Sequence, residues 1–166
     1  MFPHVGIVAL AALVPLLTGF IYYNPKVIGT AWMKEAEMTE EKMKSANMLL
    51  IFVLSFVFAF MLGLMLFSLV VHQTDIYSTL INEEGFAKPG SEISMYIDDF
   101  MSKYGSNFRT FKHGALHGTI IGIFIVFPVF ATNSMFERKS WKYTFINSGY
   151  WIITLALMGG VLCQWG

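Results

Sequence analysis

The chain has 166 residues, of which 55% are hydrophobic and only 13% charged, whereas a soluble domain carries about 25% charged residues. Eleven Lys and Arg balance eleven Asp and Glu, so no basic surface for nucleic acid is implied. A single cysteine, Cys163, excludes an internal disulfide and a cysteine-based metal site and reads as a buried, inert thiol. These numbers predict an all-α membrane protein with room for one small helical bundle.

A helix needs about 20 apolar residues to cross a bilayer. Four segments qualify, at about residues 4–23, 47–71, 114–132 and 145–165, and none has Asp, Glu, Lys or Arg in its interior. No Lys or Arg precedes the first, which predicts a retained span rather than a cleaved leader. Pro15 and Pro128 fall inside spans, where neighbouring helices tolerate a kink. Beyond the first span come Asn24-Pro25 and Trp32, suited to satisfying freed backbone groups and to anchoring at headgroup depth, then Lys26, Lys34, Lys42 and Lys44.

The second span runs into His72 and a long segment, 72–113. Gly85, Pro89, Gly90 and Ser91 break it, and Ser91 is placed to cap a helix running to Tyr104. Ile93, Tyr96, Ile97, Phe100 and Tyr104 share one face of that helix and Asp98, Asp99 and Lys103 the other, so it reads as a short amphipathic helix on the bilayer or over the bundle, with a partner's docking face as the alternative.

The third span opens His113-Gly114-Ala115-Leu116-His117-Gly118 and places Gly114, Gly118 and Gly122 on one helical stripe, a spacing that lets a second helix approach closely in lipid. It ends at Asn133, followed by Arg138, Lys139, Trp141 and Lys142. The dense basic loops are the first and third. The positive-inside rule therefore predicts a cytoplasmic place for them, with both termini and the 72–113 segment outside a bacterial inner membrane. A constant offset brings Phe2 onto Phe111, His4 onto His113, Asn24 onto Asn133 and Trp32 onto Trp141, with the same Asn-x7-Trp spacing in each half. Two tandem helix-hairpin repeats pointing the same way are the expectation, each with an outer histidine and an inner Asn…Trp cap. Interfacial aromatics placed as in any membrane protein are the plainer account.

Several of these residues carry a resemblance. Tyr22-Tyr23-Asn24-Pro25, Gly29-Thr30-Ala31-Trp32-Met33-Lys34, His117-Gly118, Thr132-Asn133, Phe136-Glu137-Arg138 and Ile146-Asn147-Ser148-Gly149-Tyr150-Trp151 resemble the bacterial multi-pass membrane proteins of the domain-of-unknown-function 1761 family. The resemblance touches every span but the second and implies a four-helix membrane fold and no activity. The long outer loop looks expanded relative to that family.

For chemistry, His4, His72, His113 and His117 all fall near the outer face. His113 and His117, at i and i+4, share a helical face with metal-ligand spacing, and His72 pairs with Asp75 at i and i+3. The bland reading, interfacial polar caps, is the simpler one, and no motif calls for a cofactor. The spans offer only Thr18, Ser55, Ser68, Thr119 and Thr154 at depth and no buried carboxylate or Lys to couple ions. No nucleophile elbow, phosphate loop or metalloprotease motif occurs, and Asp98 and Asp99, being adjacent, diverge on a helix. The sequence thus predicts a non-enzymatic membrane protein that contacts lipid and other transmembrane helices, as an accessory or scaffold subunit or a homo-oligomer. The alternative is a small-molecule or ion permease or sensor built on the outer histidines.

Overall fold

A computed structural model describes residues 3–166; Phe2, matched to Phe111 above, lies outside the described residues. Helix α1 (Val5–Tyr22) leads through a π turn at Pro25–Gly29 into two short helices, α2 (Thr30–Glu35) and α3 (Glu40–Lys44). The second span is α4 (Met48–Val70), and α5 (Thr74–Leu80) and α6 (Glu92–Tyr104) occupy the long segment after it. The third span is α7 (Phe111–Ile121), a π turn at Gly122–Val126 and α8 (Phe127–Phe136), and the fourth is α9 (Trp141–Trp165). Four helices, Val5–Tyr22, Met48–Val70, Phe111–Phe136 and Trp141–Trp165, are long and apolar enough to cross a membrane. The last two exceed the stretches expected from hydropathy because side-chain caps extend them. Thr110 Oγ1 accepts from the His113 amide (3.2 Å) and Ser140 Oγ from the Tyr143 amide (3.0 Å), so each helix starts in its polar flank.

Burial runs opposite to hydrophobicity. Helix α9 is the least hydrophobic of the four, yet 50% of its apolar window is buried, against 17–22% in the others. Without water to drive helices together, close packing and hydrogen bonds decide which helix goes inside, and α9 has both. Toward α7 it offers Gly159 and Leu155. A Cβ on Gly114 would strike the Gly159 carbonyl, one on Gly118 the Leu155 carbonyl, and one on Gly122 would lie 2.8 Å from the Ile152 Cα. The glycine stripe therefore meets α9 of the same chain, backbone against backbone.

Toward α1, helix α9 presents polar groups. Thr18 and Thr154 share a hydrogen bond of 2.8 Å, Tyr150 Oη donates to the Pro15 carbonyl (2.8 Å), Tyr22 Oη to the Ile146 carbonyl (3.0 Å) and Tyr23 Oη to Asn147 Oδ1 (3.1 Å). Above this belt, Val8, Ala11, Leu66, Phe67, Val70, Leu155, Met158 and Leu162 form a core with no more than 1% exposure. Helix α4, the most hydrophobic, shows most of its residues outward.

Pro128 lacks the N–H that would continue the ladder. The turn before it widens, so that the Phe127 amide reaches back to the Gly122 carbonyl, five residues earlier. At the same end of the bundle, the first and third connections are clasped. Lys142 lies 3.4 Å from Glu35 and Lys139 3.3 Å from Glu37, and the Ser140 hydroxyl donates to Glu35. That hydroxyl first, then Lys142, holds the Glu35 carboxyl below the usual glutamate range. A depressed carboxyl stabilises the clasp above its unfolded value, and that contribution is lost as pH falls on through the lower, folded value. Cross-linking of the two connections is therefore expected to weaken on acidification below about pH 4.3, and Ser140→Ala should move the midpoint upward.

Two substitutions test the packing. Gly118→Leu should destabilise the isolated chain by about 3 kcal/mol or more, beyond ordinary overpacking because backbone opposes the new side chain, measured by thermal unfolding in detergent. Tyr23→Phe, which strips Asn147 of one partner, should cost about 0.6–2 kcal/mol in the same assay.

Candidate functional site

Helix α4 stops at Val70, and Val71 turns extended (φ −112°, ψ 92°), which swings His72 off the helix axis toward the start of α7. Thr110 fixes the first turn of α7 and hence His113; His117 follows one turn later on the same face. The three imidazoles converge. Ring centroids are 5.0 Å apart for His72 and His113, 4.8 Å for His72 and His117, and 4.5 Å for His113 and His117. Nε2 of His72 lies 3.0 Å from Nε2 of His113, so one of the two donates to the other. One nitrogen from each ring falls within 4.8 Å of the others. Tetrahedral zinc with bonds of 2.0–2.1 Å sets its ligand nitrogens about 3.3 Å apart, a spacing that small ring rotations reach. His72 is exposed and the other two half-buried, which leaves the His72 side open to an entering ion.

Two neighbours brace the site. Phe108 holds its ring 5.1 Å from that of His113, from a left-handed backbone at φ 60° that a bulky residue adopts only when its surroundings impose it. Gln73, only 6% exposed, donates from Nε2 to the Tyr104 carbonyl (3.2 Å) and the Asn107 carbonyl (2.7 Å). Arg109 lies over the Phe67 ring at 5.8 Å and donates to the Gly166 carbonyl at the end of α9, where helix carbonyls favour a cation.

Other expected residues fall elsewhere. His4 starts α1 and is exposed, its ring against Gly6, outside the group of three. The Asp75 carboxylate does not join the rings, although its amide donates to the His72 carbonyl (3.1 Å). Asn24 does cap, accepting from the Lys26 amide (2.9 Å), and Trp32 lies edge-on to Tyr23 at 5.2 Å. Asn133 is not a cap: it is an exposed residue inside α8, which continues to Phe136 and closes with the Lys139 amide on the Ser134 carbonyl (2.8 Å). Trp141 opens α9, 56% exposed and 6.0 Å from Phe145. The two Asn-x7-Trp stretches are therefore built differently. Gln73 and the tyrosine belt were not singled out from sequence, since neither a lone Gln nor an interfacial Tyr marks a site without its partners.

A family model described as "Protein of unknown function (DUF1761)" matches residues 7–163. The chain belongs to that family. The DUF1761 match reaches into all four long helices and includes His72, His113 and His117, while His4 precedes it. No curated protein and no solved structure matches the chain.

Proposed function

We propose that this DUF1761 protein is a non-enzymatic, multi-pass protein of a bacterial inner membrane that binds one first-row transition-metal ion at its outer face and acts as a sensor of it. The observation that carries this reading is the convergence of His72, from the end of one span, with His113 and His117, from the start of another. Interfacial caps need no such meeting; ligands do. Imidazole suits Zn²⁺, Cu²⁺, Ni²⁺ and Co²⁺, and three protein ligands with an open fourth position suit an exchangeable ion.

Sensing is favoured over transport because the fully buried apolar core lies inward of the site, and beyond it Thr18 is tied to Thr154 and Tyr23 to Asn147. A path for a cation needs polar groups through that layer. The basic first and third connections support a cytoplasmic place for the clasped end, with the histidines and α6 outside. Helix α6 turns Ile93, Ile97 and Phe100 inward while Tyr96 and Tyr104 stay exposed, in keeping with an amphipathic cover. Two hairpins, α1 with α4 and the third span with α9, are in keeping with a tandem repeat. A scaffold built on the glycine stripe is less favoured, since α9 already covers that stripe.

Titration of the purified protein in nanodiscs is expected to show one Zn²⁺ per chain. Loss of an outer partner of a metal ligand typically costs 10–100-fold in affinity, so His72→Ala, His113→Ala or His117→Ala should each weaken binding about tenfold or more, and acidification should weaken it in the parent because imidazole ligates only as the neutral ring. Undiminished zinc binding in the triple alanine variant, or none in the parent, would overturn the reading.

A further inference from the structure

We infer that the outer segment 73–112 is the output of the histidine site: an ion held by His72 and His113 clamps the two ends of that segment and fixes its base. The inference rests on the metal reading above and adds what the ion does. His72 immediately precedes the segment and His113 immediately follows it, so the proposed ligands are its hinges. Between them, α5 and α6 pack on each other, and Thr74 at the start of α5 donates to the Ser68 carbonyl of α4 (3.3 Å). The base is tied to α9 where Arg109 donates to the Gly166 carbonyl, the Phe111 amide to Gln164 Oε1 (3.0 Å) and the Cys163 thiol to the Phe108 carbonyl (3.3 Å), and to the start of the segment through Gln73. The Gln73 amide donates to the Tyr104 carbonyl (3.2 Å) and the Asn107 carbonyl (2.7 Å), and Phe108 keeps its ring on His113 from a backbone at φ 60°. Such a conformation persists only while its neighbours enforce it.

Without an ion, His72 and His113 share a single N–H···N bond. A bound ion replaces it with two coordinate bonds and a third to His117, and every opening that parts His72 from His113 must then release the ion. At a free zinc concentration a hundred times Kd, such openings become rarer by on the order of a hundredfold. The signal thus moves outward along the chain, into the 73–112 segment, and not through the bilayer.

Hydrogen-exchange mass spectrometry on the whole chain in nanodiscs, with zinc occupancy measured in the same samples, tests this. Zinc at a hundred times Kd is expected to slow exchange of the 104–112 amides by on the order of a hundredfold and to leave the centre of α9 unchanged. In Gln73→Ala, loss of two hydrogen bonds should speed the ion-free exchange of these amides about tenfold or more. Zinc should restore the protection, which keeps the test decisive if the parent base is already closed. Full zinc occupancy with unchanged exchange in both the parent and Gln73→Ala would overturn the coupling while leaving the metal reading standing. No zinc bound to the parent would overturn both.

Discussion

The contact between α7 and α9, where two backbones touch without side chains between them, fixes the arrangement of the whole bundle. Gly114, Gly118 and Gly122 leave no room for any other azimuth, because a single Cβ on that stripe would enter the backbone of α9. Successive residues on an α-helix are about 100° apart, so once the glycines face α9 the residues before them, His113 and His117, must face a different neighbour. That neighbour is the end of α4, where His72 emerges. The histidine site is thus a by-product of how tightly the third and fourth spans pack, and the glycines position it without touching it.

Helix α9 occupies the centre because it is less hydrophobic than its neighbours. A lipid-facing surface gains nothing from Thr144, Asn147, Ser148 or Thr154, all buried here, and inside the bundle each such group needs a protein partner. Thr18 supplies Thr154 and Tyr23 supplies Asn147, Thr144 bonds back to the Ser140 carbonyl, and further tyrosine hydroxyls bond the α9 and α1 carbonyls, which leaves the Ser148 hydroxyl as the one of the four without a partner among the described residues. Helix α4, rich in Leu, Phe and Met, is at home against acyl chains. Hydropathy thus locates all four spans and orders them by burial only when read in the sense opposite to that of a soluble protein.

Much of this was legible in the sequence. The four spans, the Ser91 cap of α6, the glycine stripe and the i, i+4 histidine pair are local patterns, and local patterns survive into the fold. Long-range pairing did not show. Nothing in the spacing of residues says that His72 meets His113 while His4 stays apart, or that Tyr23 reaches Asn147. Asn133 misled because hydropathy ends where apolar residues end, whereas α8 runs on to Phe136. The match of Asn24 with Asn133 therefore links a helix cap to a mid-helix residue, and an offset in sequence does not by itself carry equivalent roles.

The widened turn at Gly122–Val126 inserts one extra residue into the third span. Everything beyond it is rotated by about 100° relative to an unbroken helix. The half before the turn keeps its glycines on α9, while the half after it buries Ala131 and Ser134 and stacks Phe127 on Phe145 at 5.7 Å. The two halves of one helix are therefore phased with a fixed offset. One helix thereby turns two different stripes to the bundle, glycines at its start and Ala131 with Ser134 at its end, with the extra residue as the step between them.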